Sequence, residues 1–276
     1  MTQQKIMTKQ SGIDVSIPYI ISPRNTFLDT CQPKLKWNQV EGATFYTVKI
    51  ATDSEVIWEK EVEETEYHSP EDLPLEVGKV YRLIVESDNG RCSETDTEPS
   101  KLEFQLLDED KIGSLPDDEK EITDLELTDD EEALELAHLY FGKKYGLVAK
   151  ATEILEQRIT AGSQNSEIYV THGNLCLAVG LCDLAEARYK KALEKMQPEQ
   201  ELEEQIIAKA GLAEICKLKG NEKEADRLMQ EREDDLKALA KKKEALARAE
   251  DRYRCNCQDG KGKMILICRL YCCVPG

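Results

Sequence analysis

The last twenty-five residues read RYRCNCQDGKGKMILICRLYCCVPG and hold five of the ten cysteines. Thiolates bind metals, attack electrophiles and exchange disulfides, so their spacing decides which chemistry is open to them. Cys255 and Cys257 stand one residue apart, and Cys268 is followed four residues later by Cys272 and Cys273. Structural zinc takes four ligands, usually as CxxC pairs, and neither CxC nor CxxxCC is such a knuckle. Four of the five thiols wrapping one ion is the alternative reading, and metal would then order the segment. MILIC is too short to span a bilayer. CCVPG lacks the aliphatic pattern of a prenylation site, which leaves acylation of adjacent thiols open. The tail contains no redox CxxC and reads as an appendage to what precedes it.

The remaining chemistry is sparse. Cys31, Cys92, Cys176, Cys182 and Cys216 are scattered and read as free thiols, with Cys31 and Cys92 able to pair in an oxidising compartment. The three histidines are His68, in a turn beside Ser69 and Pro70, and His138 and His172, which stand 34 residues apart. Equivalent places on adjacent repeats would make the last two packing residues, or a small shared site sensitive to protonation. Neither belongs to an HExxH array, no serine sits in GxSxG, and FGKKYG is not a phosphate-binding loop. No catalytic residue, metal-ligand set or cofactor site is expected.

The chain carries 55 acidic and 37 basic residues, a net charge of -18. Such a surface repels nucleic acid and anionic membranes, so neither is an expected partner. No run of eighteen apolar residues is present, so no transmembrane segment is expected. MTQQKIMTKQSGIDVSIPYI lacks the layout of a signal peptide, which makes the cytoplasm the expected compartment.

The elements divide the chain into a β region and a helical region, a multidomain fold. Residues 1–13 read as a flexible N-terminus. Residues 14–107 contain PKLKWNQV, ATFYTVKIAT, EVIWEKEV, KVYRLIVESDNG and KLEFQLL, short alternating runs separated by turn signals. That pattern predicts a β-sandwich of about seven strands. PKLKWNQVEGATFYTVKI followed by LEVGKVYRLIVESDNG resembles a fibronectin type III or related immunoglobulin-like domain. The resemblance implies that Trp37 lies in the core on the second strand and Tyr81 packs near it from the sixth.

Residues 108–130 are dominated by acids around a proline, which predicts an extended, mobile linker. At its end TDDEEA is a helix start, with Thr128 or Asp129 as cap. Residues 131–235 then repeat. Gly146, Gly180 and Gly220 recur, each followed five residues later by Ala151, Ala185 or Ala225, and four after that by Leu155, Tyr189 or Met229. The spacings are 34 and then 40 residues. On the first helices of repeats two and three, Gly173 and Ala213 permit close approach, with Leu139 at that place in repeat one. Helical hairpins of this kind bury their apolar faces only by stacking. The pattern resembles the tetratricopeptide repeat, most specifically in GLCDLAEARYKKALEKMQP, with Arg158 and Arg232 departing from it where a small residue is wanted. The whole arrangement resembles uncharacterised cyanobacterial proteins that pair the two modules.

Residues 236–254 form a charged C-terminal helix whose apolar seam is interrupted by Lys243 and Glu250, and 255–276 are the Cys-rich tail. Self-association through that helix stays open. The resemblance to tetratricopeptide proteins implies a scaffold that binds a protein or peptide on the concave face of its first helices. The residues expected to line that face are His138, Tyr140, His172, Asn174, Leu175, Lys209 and Glu214. The carboxylate clamp of some such proteins is missing, since its places hold Leu136, Tyr140, Thr171, Ile207 and Gly211. The competing readings are an accessory subunit or enzyme with a site at the domain interface, and a spacer with no site.

Overall fold

A computed structural model describes residues 16–70, 73–95, 102–196 and 201–258, so the expected flexible N-terminus and tail residues 259–276 lie outside the described residues. Among the described residues, eight strands form two sheets and seven helices follow. Strands β1 (Ile20–Ser22), β3 (Lys34–Trp37) and β6 (Glu66–His68) form one sheet in the order β1-β3-β6. The other runs β2-β8-β7-β4-β5, from β2 (Thr26–Leu28), β4 (Tyr46–Ala51), β5 (Val56–Val62), β7 (Val80–Ser87) and β8 (Glu103–Leu106). The pairing of β2 with β8 is parallel and the other strand pairs are antiparallel.

Alternation puts one set of side chains from each sheet into a common core. Leu35 and Trp37 enter it from β3, Tyr46, Val48 and Ile50 from β4, and Tyr81, Leu83 and Val85 from β7. Trp37 meets Tyr46 edge to face at 5.6 Å, while Tyr81 stacks on Phe104 at 5.8 Å. The Tyr81 hydroxyl accepts the backbone N–H of Glu76 at 2.8 Å, fixing the corner where the chain enters β7. Cys31 and Cys92 are both free thiols.

The acidic stretch after β8 is not extended. It folds as α1 (Glu109–Thr123), with Asp108 capping it through a bond from the Lys111 N–H, and with Glu109 and Asp110 in the first turn. Its few apolar residues, Ile112, Leu115 and Ile122, fall on one stripe and pack against the helical core, which is enough to fix the segment.

Six further helices form three hairpins: α2 (Asp129–Phe141) with α3 (Val148–Thr160), α4 (Ser166–Ala178) with α5 (Cys182–Lys195), and α6 (Leu202–Leu218) with α7 (Glu222–Gln258). Thr128 caps α2 in a reciprocal box with Glu131. Gly180 and Gly220 end α4 and α6 with φ of +81° and +74°. In each, the glycine N–H reaches back three residues and the next N–H five, to Leu177 and Cys176 or to Lys217 and Cys216. Ala151, Ala185 and Ala225 are all fully buried, as the repeat spacing requires. The expected break at 235/236 is absent, because α7 runs unbroken for 37 residues and carries the third hairpin directly into the charged C-terminal segment. Cys255 and Cys257 belong to that helical backbone.

Candidate partner-binding face and the junction with the sheets

The first helices α2, α4 and α6 pack on one another in sequence and form one layer. Their exposed residues fall on stripes of helical spacing. They include Glu131, Glu135 and His138 on α2, Glu167 and Asn174 on α4 with the half-buried Thr171 between them, and Glu203, Ile207, Glu214 and Lys217 on α6. The stripes converge electrostatically. Partial desolvation raises the Glu167 carboxyl, Glu204 and Glu135 add to that rise, and His138 opposes it. The face is therefore acidic, with Ile207 as an exposed apolar residue on it.

Three of the seven residues expected on this face belong to it: His138, Asn174 and Glu214. Asn174 also accepts the buried Tyr189 hydroxyl at 2.8 Å through its side-chain oxygen. Tyr140, His172 and Leu175 are buried and out of a partner's reach. Tyr140 donates to Glu119 of α1 at 2.8 Å and lies under the Lys150 ammonium. Lys209 points to α7 instead, bonding Asp235 at 2.6 Å. The carboxylates Glu131, Glu135, Glu167 and Glu203 escaped the sequence reading, because in so acidic a chain only the phase of each helix distinguishes them.

His138 and His172 do not stack as equivalents. The α2–α3 connection has six residues, 142–147, whereas 179–181 and 219–221 have three. The 34-residue period of the second helices therefore does not carry over to α2. Buried positions of α2 and α4 match at a spacing of 36, which sets Ala137 against Gly173 as the small residue that Leu139 was expected to replace. Arg158, the other departure, bonds Asp130 at 2.8 Å and Asp129 at 2.9 Å in the first turn of α2.

His172 is fully buried, with Nε2 3.8 Å from Glu156 and 3.9 Å from the Cys176 thiol, and with Nδ1 unpaired. Those distances are too long for strong hydrogen bonds. Burial, then Arg188 and Lys36, depress His172 to about 3, and burial pushes Cys176 up to about 12. A neutral imidazole beside a protonated, sealed thiol is not a nucleophilic pair. It does give a pH prediction. Because His172 binds its proton more weakly folded than unfolded, stability is complete above the ordinary histidine value and falls from about pH 6.5 downward. The loss at pH 5 is about 2 kcal/mol by linkage. Urea melts of the wild type and of His172→Phe between pH 7.5 and 5 measure it, and equal slopes in both would refute it.

The β region docks on the turns of the first two hairpins. The Phe27 N–H donates to the Gly146 carbonyl at 3.0 Å, and the Ala149 N–H donates to the Thr26 hydroxyl at 3.2 Å. One turn further, Arg24 Nε donates to the Val179 carbonyl at 2.7 Å and the Tyr19 hydroxyl to the Gly180 carbonyl at 3.1 Å. Ile17, Tyr19 and Leu107 accordingly belong to the core of the helices, not to that of the sheets. Beside this seam lies a cleft of about 290 Å³, lined by Phe27, Leu28, Lys34, Lys36, His68, Val148, Lys150, Glu153 and Glu156 among others. Its lysines are tied: Lys34 to Glu66, Lys36 to Glu156, and Lys150 to Asp29 and Glu119.

Comparison with protein-family models finds no match, and comparison with curated proteins finds none at a significant level. Among the described residues no group of histidine, cysteine and carboxylate side chains is arranged to hold a metal, and no helix is long and apolar enough to cross a membrane.

Proposed function

We propose that this protein is a non-enzymatic interaction module that binds a basic, extended or helical segment of a protein partner on the exposed face of α2, α4 and α6. The observation that carries the proposal is the convergence of carboxylates from three successive first helices on one face, where Glu131, Glu135, Glu167, Glu203 and Glu214 outnumber the exposed Lys217 and the Lys243 of α7 that pairs with Glu203 at 2.7 Å. A preformed face on rigid hairpins binds a peptide at low ordering cost, and its charge selects the sign of the ligand.

The finer reading of both modules supports this role. With β1 and β2 counted as two halves of one edge strand, Trp37 is on the second strand and Tyr81 on the sixth, with the corner bond typical of immunoglobulin-like sandwiches. Glycine turns, buried alanines and stacked hairpins whose second helices are spaced 34 and then 40 residues apart favour a tetratricopeptide-like solenoid.

Isothermal titration of the full chain with lysine- and arginine-rich peptides tests the reading. Saturable binding that weakens with salt is expected, and Glu135→Lys with Glu167→Lys should weaken it by about tenfold or more. Heat signals without saturation, or affinity untouched by the two reversals, would count against it. The runner-up is a small-ligand site in the junction cleft. Its volume favours that reading, but Lys36 and Lys150 are neutralised by its own carboxylates Glu156 and Asp29, and Lys34 is held by Glu66.

A further inference from the structure

One exposed stretch of this acidic chain is strongly basic. Residues 237–248 hold Lys237, Lys241, Lys242, Lys243 and Arg248 against a single acid, Glu244. Residues 241–248 are all exposed, among them Leu246 at 48%. Lys242 and Lys243 precede Leu246 by four and three residues, which puts all three on one side of the helix. The stretch lies where α7 outgrows its hairpin. α7 returns along α6, and Lys243 pairs there with Glu203 in the first turn of α6. The helix then continues for fifteen residues to Gln258, about 22 Å by the rise of an α-helix. Because α7 is unbroken and leads past the start of α6, it cannot lay this segment on the exposed face of its own α2, α4 and α6.

We propose that the basic end of α7 seats on the acidic face of α2, α4 and α6 of a second copy, so that the chain is itself a partner for that face. The inference rests on the reading of the face as a site for basic segments. Leu246 supplies the apolar contact to Ile207, which is 44% exposed, and the lysines beside it meet Glu135 and Glu167. A helix held in a preformed groove by an apolar anchor with flanking charges is a recurring mode of recognition. The chemistry already occurs once within the chain, where Lys243 reaches Glu203 at 2.7 Å. That pair and the Arg248–Glu244 pair are exposed, so they are weak and open to exchange. At about 0.15 M salt charges are screened beyond about 8 Å, so the contact responds to these local groups and not to the net charge of -18.

Sedimentation velocity of the full chain, with reductant and chelator so that the terminal cysteines add neither disulfides nor metal bridges, tests it. Average mass should rise from about 1 to 100 µM and fall as salt is raised from about 0.15 to 0.5 M. Lys242→Glu with Leu246→Glu removes the α7 side, and Glu135→Lys with Glu167→Lys removes the face. All four positions are exposed, and circular dichroism checks that each variant is folded. Each variant alone should associate at least tenfold more weakly. A one-to-one mixture should regain association, since each variant keeps the surface that the other has lost. A saturating lysine- and arginine-rich peptide should dissociate the wild-type oligomers. Saturable peptide binding by a wild type that stays monomeric overturns this inference and leaves the reading of the face standing, whereas the absence of both overturns both. Undiminished association of either variant, a mixture no larger than its parts, or oligomers that the peptide does not dissociate also overturn it.

Discussion

Gly211→Ala is expected to destabilise the helical region by about 2–3 kcal/mol, a sizeable share of a domain's stability. The Tyr189 ring lies between α4 and α6, in contact with a glycine on each side. A Cβ on Gly173 would come within 2.7 Å of that ring, and one on Gly211 would overlap its Cε2 and Cζ. The ring is buried and its hydroxyl is anchored on Asn174, so it cannot swing aside as a surface side chain would. Helix propensity works the other way, favouring alanine over glycine by about 1 kcal/mol. Overpacking against a closed aromatic outweighs it. Urea unfolding measures the loss. Adding Tyr189→Leu to Gly211→Ala should restore part of it, since the smaller side chain vacates the overlap. A Gly211→Ala protein as stable as the wild type would show that the helices part at no cost.

Arg24→Leu should cost about 3 kcal/mol and split a single unfolding transition into two. Arg24 is only 2% exposed. Its guanidinium stacks over the Tyr19 ring at 4.6 Å, donates to the Tyr19 hydroxyl at 3.0 Å, and reaches across the seam to the Val179 carbonyl. Leucine keeps some of the bulk but leaves two buried acceptors short of a donor, the asymmetric penalty of removing one partner of a buried bond. Differential scanning calorimetry of wild type and variant distinguishes coupled from uncoupled melting. One sharp transition in both would mean that the apolar contacts of Ile17, Tyr19 and Leu107 couple the regions unaided.

The two-part architecture and the hairpins were legible in the sequence because alternation and the glycine–alanine spacing are local patterns. Five of the eight strands coincide with the alternating runs, whereas β1, β2 and β6 are three residues long and too short to show a period. The acidic segment misled because composition is a weak guide to order: Ile112, Leu115 and Ile122 suffice when they share a face. His172 was misplaced by one structural cause. A period measured on the second helices was applied to α2, whose longer connection shifts its phase, so a core histidine and a surface histidine looked equivalent. Lys209 was misplaced for another reason, since its partner Asp235 is 26 residues away and visible only once α7 lies against α6.

The backbone bonds from the β region to Gly146 and Gly180 carry one more consequence. Strings of helical hairpins are springs, each joint adding a little twist and bend. Here a single stretch of chain, Tyr19 to Phe27, is fastened to two neighbouring turns and acts as a splint across the first joint. The pitch between hairpins one and two is thereby set from outside, while among the described residues the joint between two and three is tied by the side-chain ion pairs of Lys219 with Asp183 and Glu186 and by no backbone bond from the β region. Elastic deformation should concentrate there, so the acidic face opens and closes at its α6 side.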